Sequence, residues 1–516
     1  MSNLMSACTT RMVWRLGVSV LSACVLIAAT GSDANAERWS PALEASTVAL
    51  AVGDGGALVA DPSAIAGVAQ QTAAYQRKRA DALQRDRERQ PNPNSCTVQY
   101  LCPMNPEYSV SSWKRKGGLV EPVLYTSRSG ATISGHVWAM ERQGDPAQKP
   151  GIVITNGSIV EYEQAYWYLA QHLAAAGYIV MTHDAQGEGM SDQFGQHPDE
   201  LEDAFAGIPV LGLVGPQRTP NLLTSLGGNG LPFYDGQIDA LDFFLSAPDD
   251  AYKPRRSRTT RTDHSVKQNR RVASGLNAGY NPFWKKLDRR RIGLAGHSYG
   301  AVASSWNAQN DHRVSAAVAI DSQCVPPTER MDEMEAFFGA RAARAIGPVP
   351  LPAVYGFNKY CFGSPAVKAP RLRTPVLGLS GDYLLLPVPR VQAPDPLAKS
   401  EASFAFSRAG VDTADVVIRG AYHLDFSDSG GVLPGTADVR GITNFYTTAW
   451  FDKYLKGDQS AVDRLAGERW RHSAHAPAPG EENRFSAHYR SRIDVTLGDG
   501  ERLVCEDVRR RCDVGE

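Results

Sequence analysis

The chain predicts an α/β fold: a mostly parallel, doubly wound sheet with helices on both faces. Three observations carry that expectation. From about residue 119, short apolar runs alternate with segments of helical periodicity. Runs such as GIVIT (151–155) and IGLA (292–295) are continuously apolar, which marks strands buried on both faces. A serine flanked by glycines, Gly296-His297-Ser298-Tyr299-Gly300, sits where one such strand runs into a helix.

The first 36 residues read as a secretory signal peptide rather than as part of the fold. Arg11 and Arg15 precede the apolar run 16–30, and Ala34-Asn35-Ala36 forms a small-residue cleavage site. The expectation is an exported chain, secreted or periplasmic, beginning at Glu37. Leu21-Ser22-Ala23-Cys24 imitates a lipoprotein box but ranks second, because too few apolar residues come before it. Residues 37–118 form an N-terminal extension, partly helical or disordered. Its stretch RKRADALQRDRERQ has almost no apolar face.

Residues 119–456 then spell out one domain. LVEPVLYT and ATISGHVWAM alternate as antiparallel strands do. GIVITNG is a buried strand, EYEQAYWYLAQHLAAAG a helix, and YIVMTHDAQGEGMSD a strand entering a glycine-rich turn. The series continues with helix GQIDALDFFLS, strand RIGLAG, helix AVASSWNAQN and strands VSAAVAI and PVLGLSG. Helix SEASFAFSRAG, strand ADVVIRG and the amphipathic helix RGITNFYTTAWFDKYLKG complete it.

Two insertions interrupt this order. Residues 247–291 read as a basic, solvated loop, with thirteen Lys/Arg against two Asp from Lys253 to Arg291. Weak contact of residues 253–291 with an anionic surface is the minority expectation for it. Residues 325–373, rich in Pro, Gly and aromatics, read as a lid or pocket wall. Residues 457–516 form a tail ending in a β-hairpin that turns at Gly498-Asp499-Gly500.

Composition narrows the class further. The 516 residues are 43% hydrophobic and 21% charged, with a net charge of −1. That excludes collagenous, disordered and multi-span membrane classes and gives no general attraction to nucleic acid. Six cysteines remain after cleavage: Cys96, Cys102, Cys324, Cys361, Cys505 and Cys512. Three disulfides are expected, with neighbour pairing (96–102, 324–361, 505–512) the simplest of fifteen arrangements. With neither C-x-x-C nor H-E-x-x-H present, no metal site or cofactor is expected.

A serine hydroxyl is a poor nucleophile unless a base lies within hydrogen-bond reach, itself oriented by a third group. In a parallel sheet such groups gather past the carboxyl ends of strands. His423, three residues beyond the strand ADVVIRG, is the candidate base for Ser298. Asp382, directly after PVLGLSG, is the candidate acid, and Asp321, at the end of VSAAVAI, is its rival. An oxyanion would need backbone donors, for which Tyr299 and Ser158 are the candidates.

In this order, NGS, DAQGEGMSD, GHSYGA, SGDY and GAYHLDFS resemble the α/β-hydrolase superfamily over roughly 119–456. The layout resembles secreted bacterial esterases and lipases of the dienelactone-hydrolase, platelet-activating-factor acetylhydrolase and polyester-hydrolase type. The resemblance implies cleavage of a small-molecule or lipid-like carboxylic ester through an acyl-enzyme on Ser298. His423 would act as base and then acid, with Asp382 orienting it. A peptidase or amidase, an acyltransferase and a non-catalytic cell-envelope binding protein are alternatives on the same scaffold.

Overall fold

The structure, a computed structural model, describes residues 105–157, 161–192, 231–257, 261–321, 323–324, 371–381, 401–418, 421, 423–428, 437–466 and 491–506. The signal peptide, the 70–90 helix and the 325–370 part of the expected lid lie outside them.

Ten strands form a single sheet. In chain order they are β1 (Gly118–Thr126), β2 (Thr132–Met140), β3 (Lys149–Thr155), β4 (Ile179–His183) and β5 (Leu287–His297). These are followed by β6 (Val314–Ile320), β7 (Val376–Gly381), β8 (Thr413–Ile418), β9 (Arg492–Thr496) and β10 (Arg502–Cys505). Their spatial order is β1-β2-β4-β3-β5-β6-β7-β8-β9-β10. The six strands from β4 to β8 pair in parallel, and an antiparallel pair extends the sheet at each end.

Helices cover both faces because the strands are apolar on both. On one side α2 (Trp167–Ala175) and α7 (Ala437–Phe451) pack over Ile152, Ile154, Val318, Leu379 and Val416. On the other, α3 (Leu231–Phe244), α5 (Tyr299–Asn310) and α6 (Glu401–Arg408) pack over Val153, Leu294, Ala317 and Val376. Ile152 and Ile154 face one layer and Val153 the other, as the two-residue period of a strand requires. Before β1, the short helix α1 (Val110–Arg115) lays Trp113 against Trp138, with ring centroids 6.5 Å apart.

The basic segment is solvated at many of its charged positions, Lys253, Arg261 and Arg270 among them, but it is more than a loop. It contains helix α4 (Ser265–Ala273), and its last residues already belong to β5. Its polar residues close the outer edge of β1, whose backbone would otherwise lack partners. Gln268 Oε1 accepts from the Thr126 N–H at 2.9 Å, and the Tyr252 hydroxyl donates to the Thr126 carbonyl at 2.9 Å. The Ala278 N–H reaches the Leu124 carbonyl at 2.9 Å. Buried ionic bonds fix the neighbouring β1–β2 turn: Arg128 meets Asp239 at 2.7 Å and Asp235 at 2.9 Å.

The C-terminal hairpin joins the sheet. β9 pairs antiparallel with β8, and Gly500 supplies the left-handed turn residue at φ 91°. Cys324 and Cys505 are both buried and disulfide-bonded; Cys96, Cys102, Cys361 and Cys512 lie outside the described residues. Among the described residues, no helix is long and apolar enough to cross a membrane.

Candidate active site

From β3 the chain steps to β4 on one side, then returns to place β5 on the other. The strand order therefore reverses between β3 and β5, and a crevice opens beyond their carboxyl ends. Thr155-Asn156-Gly157 leaves one wall of that crevice and His297-Ser298 the other.

Ser298 stands between β5 and α5 with φ 54° and ψ −119°, a conformation that L-residues rarely adopt. The glycines around it are needed for space. A Cβ on Gly296 would lie 2.3 Å from the Gly300 carbonyl oxygen. One on Gly300 would lie 2.3 Å from the Thr155 carbonyl oxygen. Strand, elbow and helix can pass this closely only without those side chains. This strained serine at the reversal point of a parallel sheet decides the architecture.

The chain has the α/β-hydrolase fold.

His423 opens a short 3₁₀ turn, His423–Phe426, beyond β8. Its Nδ1 lies 2.5 Å from Asp321 Oδ2. A carboxylate only accepts, so Nδ1 carries the proton and, in the neutral ring, Nε2 keeps its lone pair. Asp321 follows β6 directly, with φ 60°. Its other oxygen accepts from the Gly381 N–H at 2.8 Å, and its own N–H donates to Leu379 at 2.7 Å. Both bonds tie it to the neighbouring strand β7. Asp382, the acid preferred on sequence, lies outside the described residues. The Asp321 side chain is fully sealed, His423 is 14% exposed and Ser298 keeps 9% of its surface. Access therefore increases from the carboxylate to the imidazole.

Tyr299 heads the first turn of α5, where backbone N–H groups point out of the helix. Its ring is buried and stacked on Phe233 at 5.1 Å, and burial pushes its hydroxyl well above the usual tyrosine range. Its side chain is thus part of the wall. Ser158 lies outside the described residues. Gly157, just before it, is pressed between His297 and Ser298, where a Cβ would stand 3.1 Å from each.

Sequence reasoning passed over several residues that shape this end of the sheet. Asn156 Oδ1 accepts from the Ala185 N–H at 2.9 Å, tying the β3 and β4 loops together. In DAQGEGMSD, Asp184 accepts from the N–H groups of Glu163 at 2.7 Å and Met190 at 2.8 Å. Asp192 accepts from the Thr132 N–H at 2.8 Å. That motif is therefore a scaffold turn beneath the crevice. His297 is fully buried and touches His423, with ring centroids 4.6 Å apart. Its place beside the serine in G-x-S-x-G was the available signal.

Among the described residues, His297, Asp321 and His423 place candidate metal-ligand atoms within 4.8 Å of one another. Both ring nitrogens of His297 already have protein partners, Tyr166 at 2.6 Å and the His423 carbonyl at 2.8 Å. Ligating a metal through His297 would break one of those bonds. The cluster suits proton handling better than cation binding.

No protein-family model and no curated protein matches the chain. Similar solved structures include a ferulic acid esterase from Streptomyces cinnamoneus, at TM-score 0.35 and 16% identity over 66% of this chain and 90% of that one. Another is an acylaminoacyl peptidase in complex with a chloromethyl ketone, at TM-score 0.36 and 14% identity over 66% of this chain and 42% of that one. The chain thus matches less than half of that peptidase's length. Similarity this distant carries neither protein's chemistry over.

Proposed function

We propose that the protein is a serine hydrolase of carboxylic esters, with Ser298 as nucleophile, His423 as base and Asp321 as orienting acid. The observation that carries this reading is the Asp321–His423 bond beside the strained serine elbow. It favours Asp321, the rival acid, over Asp382 in this proposal. An imidazole held by its Nδ1 proton presents Nε2 as a base, and the elbow carries an alcohol out of a strand.

In the proposed reaction Nε2 of His423 takes the Ser298 proton as the oxygen attacks the ester carbonyl. The resulting oxyanion accepts from the backbone N–H groups of Tyr299 and Ser158. Collapse breaks the ester C–O bond, and the imidazolium returns its proton to the leaving alcohol. Water then repeats the sequence on the acyl-enzyme, releasing the carboxylic acid and restoring Ser298. No cofactor enters any step.

Export, removal of residues 1–36 and the neighbour disulfide pairing belong to the same reading. They are supported by the N-terminal pattern and by the burial of Cys324 and Cys505.

The test is turnover of p-nitrophenyl acetate, butyrate and palmitate beside an aminoacyl anilide, with Ser298→Ala as control. Short-chain ester turnover lost in the variant is expected. Anilide turnover alone would move the assignment to a peptidase, and ester turnover surviving Ser298→Ala would end it. Fluorophosphonate labelling should map to Ser298.

A further inference from the structure

The turn that carries His423 is held by its backbone. The Tyr168 hydroxyl donates to the Phe426 carbonyl at 2.8 Å, and the Asp428 N–H donates to the Ala165 carbonyl at 2.8 Å. The third hold comes from the elbow itself. His297 Nε2 lies 2.8 Å from the carbonyl oxygen of His423. A carbonyl only accepts, so this nitrogen carries a proton and donates it.

Behind His297 the bonding continues. Its Nδ1 is 2.6 Å from the Tyr166 hydroxyl, which also bonds the Glu161 carboxyl. Glu161 and Tyr166 are both buried. Burial and the Glu161 charge push Tyr166 well above the usual tyrosine range, so it remains a phenol.

Three hydrogen bonds stand in line, Glu161–Tyr166, Tyr166–His297 and His297–His423. The position of His423 is therefore locked by a buried network outside the triad.

We propose that His297 is a positioning residue, held by Tyr166 and Glu161, that fixes His423 relative to Ser298 by donating Nε2–H to its backbone carbonyl. This rests on the hydrolase reading above. Misplacing a base by about 1 Å can cost on the order of a hundredfold in rate without any contact to substrate.

The experiment is steady-state turnover of p-nitrophenyl acetate by wild type, His297→Leu, His297→Gln and Tyr166→Phe. Each rate is divided by the fraction of protein that a fluorophosphonate titrates, so unfolded enzyme does not count. In His297→Leu, kcat per titrated site should fall about ten- to a hundredfold with KM within about twofold. His297→Gln retains a side-chain N–H and should recover a substantial part of that loss. Tyr166→Phe removes one hydroxyl and should lower kcat per site severalfold, which keeps the proposal testable if His297→Leu does not fold. Unchanged kcat per site in His297→Leu, or in Tyr166→Phe where the leucine variant does not fold, would overturn the proposal. A wild type without ester turnover would instead overturn the hydrolase reading, and this proposal with it.

Discussion

Asp321 and His423 lie 102 positions apart in the chain and meet at 2.5 Å. Each follows the end of a parallel strand, β6 and β8, and β7 between them steadies the carboxylate through Gly381 and Leu379. The pair is thus a product of strand order.

Asp321→Asn should lower kcat for a short-chain ester by roughly a thousandfold or more. An amide in that place can present its NH2 group to Nδ1 and favour the wrong tautomer. The fold should survive, since asparagine tolerates the left-handed φ. Asp382→Asn is the paired control and should leave kcat within severalfold. A larger loss there than in Asp321→Asn would restore the sequence preference.

Gly300→Ala should destabilise the protein by about 1–3 kcal/mol, through forced displacement of the β3 backbone. In an open helix the same change would stabilise by up to about 1 kcal/mol. Here the new methyl would meet the Thr155 and Asn156 carbonyl oxygens at 2.3 and 2.5 Å. Urea unfolding midpoints at equal slope read the sign.

Arg128→Met should cost about 3–5 kcal/mol, because it leaves the buried carboxylates of Asp235 and Asp239 without their cation. Adding Asp239→Asn should recover part of that loss. A double variant no more stable than the single one would show that the arginine acts through packing alone.

Acid should reveal His183. The ring is fully buried, and burial pushes it from 6.5 down to about 4. Its contribution to stability is complete above pH 6.5 and is lost as pH falls toward 4, where the unfolded chain binds the proton first. Asp192 runs the other way. Burial pushes it up to about 6, so the folded state gains stability as pH falls from 6 toward 3.8. His183→Gln should therefore become more stable relative to wild type between pH 6.5 and 4, by roughly 2–3 kcal/mol. A difference that stays flat across that range would contradict it.

The basic segment makes a salt-dependent prediction. Arg255 pairs with Asp242 and Arg291 with Asp288, while Lys253, Arg261, Arg270 and Lys285 are exposed. If residues 253–291 contact an anionic surface, binding to phosphatidylserine vesicles should weaken steeply between 50 and 300 mM salt, both roughly within the screening range. Binding that is absent or independent of salt would leave the segment its structural role at the β1 edge alone.

Much of the fold was legible because burial leaves a period. VSAAVAI and GIVIT are apolar on both faces and could only be central strands, and they became β6 and β3. Pairings between distant segments leave no such mark. Nothing in RIDVT announces β8 as its neighbour, so the tail read as separate from the sheet. In the basic segment the charge count outweighed Gln268 and Tyr252, whose work is to bond a strand edge and which have no periodicity. For the acid, Asp321 and Asp382 both follow buried strands. Spacing alone does not separate them; the Asp321–His423 bond, a contact between distant segments, is what favours Asp321 in the proposal. His297 was hidden inside a motif that draws attention to the serine beside it.

The pairing of β9 with β8 has a consequence for the order in which the protein can be assembled. Until residues 492–505 arrive, β8 offers a row of open backbone groups, although everything before it could already be folded. A shortened chain ending ahead of Ser491 would keep strands β1 to β8 and the Asp321–His423 pair yet carry a sticky flank. Such a product should self-associate rather than simply unfold, and a helper that shields exposed strand flanks would be needed only for that brief interval.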